Sequence, residues 1–138
     1  MKIVSSTQLE SLFLQAELSP RKRTHLNLHT SFDDKVQRLY IAMIKGSYVE
    51  PHYHELPHQW EMFFVLQGVI HLIIYNADGS VKQSMSVGDG HITQSIELYP
   101  YDIHSVECIS ERALLLEIKQ GPFDPSNSKV VVDFKKYV

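Results

Sequence analysis

The sequence predicts an all-β sandwich or barrel with one short N-terminal helix, on three observations. Beyond residue 35, apolar residues come in short runs with period-two character, at 39–44, 62–66, 69–75, 92–98, 103–109 and 113–118. Turn-forming residues divide those runs: Gly68, "NADG", "GDG" and "YPYD". Helical spacing is found in one segment, near the N-terminus. Many short strands separated by turn residues are the pattern of a sandwich or barrel.

Taken in order, "TQLESLFLQAEL" places Leu9, Leu12, Phe13 and Ala16 on one helical face, with Thr7 and Glu10 as a capping box and an end near Ser19-Pro20. In "RKRTHLNLH" the period changes to two. Arg21, Arg23, His25, Asn27 and His29 fall on one face, and Leu26 and Leu28 on the other. If Gln67-Gly68 is a two-residue hairpin turn, Leu66 opposes Val69 and Glu61 opposes Ile74. Glu61, Phe63, Val65, Ile70, Leu72 and Ile74 then face the interior, while Met62, Phe64, His71 and Ile73 face out. That outward apolar row needs cover from the helix or a second subunit, and a homodimer is the simpler expectation. "GPFDPSNSK" is turn-rich, and "VVVDF" supplies a last edge strand or an arm across a neighbour. The expectation is eight to ten strands in a single domain: helix and strand arm over 1–35, barrel over 36–120 and tail over 121–138.

At 138 residues, such a chain buries roughly two-thirds of its unfolded surface without needing disulfides. One cysteine, Cys108, forms no internal bridge. Thirteen basic and 16 acidic residues give a net charge of -3, which offers no general attraction to nucleic acid or to anionic membranes. The opening "MKIVSSTQLESLFLQ" supports neither a signal peptide nor a membrane helix, so a cytoplasmic location is expected.

The eight histidines are the outlying feature. In a strand, His52 and His54 project side by side while Tyr53 points away. Glu61 opens an apolar strand, where a carboxylate is costly to bury unless it is paired or bound to a cation. His104 opens a later strand. Three imidazoles and a carboxylate suit one divalent transition metal, iron, zinc, manganese or nickel, with positions left open for water or substrate. A different grouping, His52, His54 and His58 with Glu61 as a base, is also compatible with the spacing, and so are histidines that only form hydrogen bonds. Cys108 shares the inward side of His104; with His58 it is a candidate catalytic group, although a small buried hydrophobe is the commoner role. His25 and His91 read as surface or rim residues.

These residues resemble the cupins. Their first motif, G-x5-H-x-H followed by a glutamate and x6-G, is matched by Gly46, His52, His54, Glu61 and Gly68, with "ELPHQW" as an insertion. Their second motif is matched less fully in "YPYDIHSVEC", which has Pro100 and His104 but no glycine, and Cys108 in place of asparagine. "SPRKRTHLNLH", "GSYVEPHYH" and "GPFDPSNSK" extend the resemblance to the WbuC-like cupin metalloproteins, named from O-antigen gene clusters. The resemblance implies a double-stranded β-helix, with His52, His54, Glu61 and His104 as ligands of one metal.

Two functions follow as expectations. One is a metal-dependent isomerase, hydrolase or dioxygenase acting on a small anionic or sugar-like molecule linked to surface polysaccharide. In that reading Arg21, Arg23, Asn27 and His29 bind substrate, since arginine holds carboxylate or phosphate through two parallel hydrogen bonds. The other is a metal-dependent binding or sensing module without turnover.

Overall fold

The computed structural model describes residues 1–137. Helix α1 (Ser6–Leu18) is followed by β1 (Arg23–Asn27), β2 (Val36–Ile44), β3 (Tyr48–Tyr53), β4 (Glu61–Gln67), β5 (Val69–Tyr75), β6 (Val81–Gly88), β7 (Ser95–Leu98), β8 (Ile103–Cys108), β9 (Arg112–Gln120) and β10 (Val130–Val131). Two five-stranded antiparallel sheets, β1-β2-β9-β4-β7 and β10-β3-β8-β5-β6, form a jelly roll. Between them Met43, Phe63, Val65, Ile70, Leu72, Val87, Val106 and Leu115 make one core. A smaller cluster of Leu12, Phe13, Ala16, Ala42 and Leu114 seals α1 to the outside of the first sheet.

The chain does not form a hairpin at Gly68. β4 lies in the first sheet and β5 in the second. Glu61 therefore pairs with Leu98 and Lys119, and Ile74 with His104. Gly68 has φ +77°, and a Cβ there would lie 2.1 Å from the Arg112 carbonyl oxygen, so only glycine fits this crossing. The expected faces nevertheless hold, because alternation belongs to each strand whatever its partner. Glu61, Phe63, Val65, Ile70 and Leu72 are buried, and Ile74 packs on the same core. Met62, Phe64 and Ile73 are half-buried on the outer faces, outside the cluster beneath α1.

The helix begins earlier than expected. Ser5 is its N-cap: the Gln8 amide donates to Ser5 Oγ (3.2 Å) and the Ser5 amide to Gln8 Oε1 (2.9 Å). Glu10 is thereby free to receive Arg112 through two hydrogen bonds of 2.9 and 2.7 Å, while the same guanidinium lies 4.2 Å over Phe13. The run at 92–98 is strand only from Ser95, and Ile92 is exposed in the preceding turn. β6 gave little apolar signal because most of its side chains are exposed or half-buried. "VVVDF" adds the edge strand β10, whose Val130 and Val131 pair with Tyr53 and His52.

Candidate metal centre

The two sheets bring their inward polar residues together at one end of the barrel. His52 comes from the end of β3, His54 from just beyond it, Glu61 from the first residue of β4 and His104 from β8. Each offers one ligand atom, and the four atoms lie within 4.8 Å of one another. His52 and His104 are direct cross-strand partners. His54 and His104 direct Nε2 toward the same Glu61 oxygen, at 3.4 and 3.0 Å.

Backbone carbonyls fix the imidazoles. Nδ1 of His52 meets the Glu50 oxygen at 2.8 Å, Nδ1 of His54 the Ser128 oxygen at 2.6 Å and Nδ1 of His104 the Asp102 oxygen at 2.8 Å. A carbonyl can only accept, so each Nδ1 carries a proton and each ring turns its Nε2 inward. Three Nε2 atoms converging with a buried carboxylate are an arrangement that a cation satisfies. His54 Nε2 is buried without a well-formed hydrogen bond, its approach to Glu61 being only a contact of 3.4 Å. Carbonyl-anchored histidines of this kind are the usual surroundings of a metal ion, and the donor set fits a transition metal. Burial alone would push the Glu61 carboxyl up, but His104 and His54 hold it well below its ordinary range. His52 is depressed to about 4 by burial and by its histidine neighbour His104.

The turn before His104 lacks the glycine of the family pattern, yet Tyr101 there has φ +70°. Its amide donates to the His54 carbonyl (2.8 Å), and its ring stacks on Tyr53 at 5.6 Å. The left-handed residue ties the segments that carry His54 and His104 together.

A cavity of about 380 Å³ opens from these four residues, walled by apolar Ile41, Met43, Phe63, Val106 and Leu115, and by polar Arg21, Arg23, His25, Glu117, Lys119 and Lys129. Arg23 lines this cavity from the start of β1, and Arg21 from the turn before it. Asn27 and His29 do not line this cavity. They line a smaller neighbouring hollow with Phe32 and Gln37, because β1 runs along the sheet edge and carries them beyond the Phe123 wall. His29 Nδ1 accepts from the Arg38 amide (3.1 Å). His58 is also outside the cluster, with Nε2 3.3 Å from the Pro122 oxygen, because the "ELPHQW" insertion swings it toward the C-terminal segment. Cys108 shares the inward face of His104 but is sunk in the closed end of the core; its thiol lies 3.4 Å from the Ser110 carbonyl, and burial pushes its pKa up. It is a packing residue.

His25 is exposed at the rim of the cavity, as expected, where the surrounding protein and the charges of Arg21, Arg23 and Lys119 depress it to about 4. Three further cavity groups lie outside the sequence reading. Burial and the Glu61 charge push Glu117 up to about 7. Lys119 lies 3.7 Å from Glu117 and 4.7 Å over the Phe123 ring. The signal for both was present in "LLLEIKQ", where charges at period two interrupt an apolar strand. Lys129 reaches the cavity from the C-terminal segment, which carried no periodic signal.

No match is found among the curated proteins. Among solved structures, oxalate oxidase in complex with the substrate analogue glycolate superposes with a TM-score of 0.61 at 16% identity, covering 83% of this chain and 57% of that one. Bacillus subtilis oxalate decarboxylase, a protein with Mn(II) centres, gives 0.59 at 16% identity, covering 80% of this chain and 28% of that one. A conserved Streptococcus pyogenes protein of unknown function gives 0.56 at 15%, covering 77% and 80%. The chain spans little more than half of the oxidase, and at these identities the likeness is one of fold: the cupin double-stranded β-helix. No helix among the described residues is long and apolar enough to cross a membrane. Residues 4–87 match a family model, and the chain belongs to that family, described as a domain of unknown function (DUF6016).

Proposed function

We propose that the protein is a metal-dependent enzyme that holds one divalent transition metal at His52, His54, Glu61 and His104 and acts on a small anionic metabolite in the adjoining cavity. The observation that carries this reading is the convergence of three carbonyl-anchored imidazoles on a buried carboxylate. An ion bound there would polarise a substrate oxygen and lower the pKa of a bound water. The chain's own residues bind and orient. Arg21 and Arg23 offer guanidinium donors to an acidic group at the cavity mouth, while Phe63, Val106 and Leu115 keep water from the opposite wall. The Mn(II) centres of the similar decarboxylase make manganese the first ion to test. A sugar-derived substrate, linked to surface polysaccharide, rests on the WbuC-like segments "GSYVEPHYH" and "GPFDPSNSK".

Elemental analysis of protein purified without added metal tests the site. Wild type and His58→Ala should retain one transition metal ion per chain, and Glu61→Ala and His104→Ala should lose it. Retention in Glu61→Ala with loss in His58→Ala would replace this ligand set by the three-histidine loop. Turnover against small hydroxy acids, keto acids and sugar acids separates an enzyme from a sensor, which would release its ligand unchanged. The reading includes a homodimer burying Met62 and Phe64, and light scattering at micromolar concentration should give twice the chain mass; a monomer would refute that part alone.

A further inference from the structure

Beside the mouth of the metal cavity lies a second, open cleft of about 460 Å³, lined among others by Arg21, Lys22, Arg23, Tyr48, Glu50 and Lys129. Three consecutive residues of an extended strand would send their side chains to alternating faces. Here all three reach one cleft, because Lys22 takes the left-handed conformation, φ +56°, which side chains with a Cβ rarely adopt. The kink is pinned on both sides. The Lys22 amide donates to Ser19 O (3.0 Å), the Ile44 amide to Lys22 O (2.9 Å) and Ser47 Oγ to Arg21 O (2.9 Å). From the far end of the chain, Lys129 joins the same cleft.

The four cations gather there against their own repulsion, with Glu50 as the one carboxylate on the lining. Burial and the charges of Arg21 and Arg23 lower the pKa of Lys129; burial and Arg21 lower that of Arg23. Among the side-chain hydrogen bonds of these four residues are two long ones from Arg23 Nη1, to Arg21 O (3.4 Å) and Tyr48 O (3.3 Å). The cluster is continuous with the metal cavity, since Arg21, Arg23 and Lys129 line both.

We propose that this cleft seats a phosphoryl group carried by the molecule whose other end enters the metal cavity, so that the substrate class is a phosphate monoester. The proposal rests on the functional reading above for what the inner end does, but not for the binding of phosphate itself. A doubly charged group with several acceptor oxygens matches two forked guanidiniums and two ammonium groups better than a single carboxylate does.

Calorimetric titrations of metal-loaded and metal-stripped protein with ribose 5-phosphate, ribose, inorganic phosphate and succinate test it. Ribose 5-phosphate should bind at least about ten-fold tighter than ribose in both forms, and succinate more weakly than inorganic phosphate. Lys22→Gly removes a cation while supplying the residue best suited to positive φ. It should keep or raise the melting temperature, leave metal content unchanged and weaken ribose 5-phosphate binding by about three- to thirty-fold; Lys129→Ala should weaken it similarly. Equal binding of ribose and ribose 5-phosphate, or a preference that Lys22→Gly and Lys129→Ala both leave intact, would overturn the proposal. Succinate binding as tightly as phosphate would overturn the choice of a phosphoryl group. Loss of metal from wild type with phosphate binding intact would sink the metal reading and leave this one standing.

Discussion

β8 runs from one end of the barrel to the other, and its inward face means different things at each. His104, near the first end, is 2% exposed and faces a cavity, a carboxylate and two other imidazoles. Cys108, at the other end, is 1% exposed and packs in the closed core. Burial alone does not tell them apart; what they are buried against does. The packed end supplies stability, whereas the open end sets ionisable groups where desolvation and mutual repulsion oppose them.

The largest expected effect sharpens this division. Ile70→Ala, a truncation in the closed core, should cost about 2–5 kcal/mol in denaturant unfolding, and Cys108→Ala about 1 kcal/mol, both with metal content unchanged. Loss of metal from Cys108→Ala would show that the two ends are coupled.

At the open end, Glu117→Gln should act in the opposite sense. The folded carboxyl has its pKa raised to about 7, above its ordinary value, so the folded state binds more protons than the unfolded one between those limits. Its destabilising effect is absent below the unfolded pKa and complete above about 7. Removing the group from metal-stripped protein should therefore raise stability at pH 8 relative to pH 4.5, by about 3 kcal/mol at most. Equal pH profiles for variant and wild type would mean that Glu117 is hydrated like a surface carboxylate.

Arg23→Ala should weaken anion binding by about ten- to a hundred-fold, in line with about 1.5–3 kcal/mol for a charge-assisted hydrogen bond, without loss of metal. Unaltered binding of every anion would make the β1 edge a solvated surface. His71→Ala, which removes an outward ring bonded to Ser84 Oγ at 2.7 Å, should change stability by less than about 0.5 kcal/mol and leave the metal in place.

The same division explains what could be read from the sequence. Period two within β4 and β5 is legible because burial repeats along each strand, which puts Glu61, Phe63, Ile70 and Leu72 inside even though β4 and β5 lie in different sheets. The partner of a strand is set by how the two sheets fold over each other, and Gly68 looks the same in a hairpin turn as in a crossing. The cluster of His52, His54, Glu61 and His104 was legible because its residue types are rare inside a core. Lys129 and Ser128 were not, because they reach the site along an irregular segment with no periodicity to mark it. Asn27 and His29 lie outside the metal cavity because alternation gives a face, but not how far along the chain the cavity reaches.

That irregular segment has a consequence for how the protein comes into being. The carbonyl that orients His54 belongs to Ser128, 74 residues later in the chain, and β10, which borders His52, follows it. A polypeptide is made from its N-terminus, so Ser128 is among the last of these residues to be added, and the ring of His54 acquires its carbonyl partner only when the C-terminal segment docks. The surroundings of the candidate site are thereby completed from the far end of the chain: residues 128–131, and not β1 to β9 alone, fix His54 and border His52.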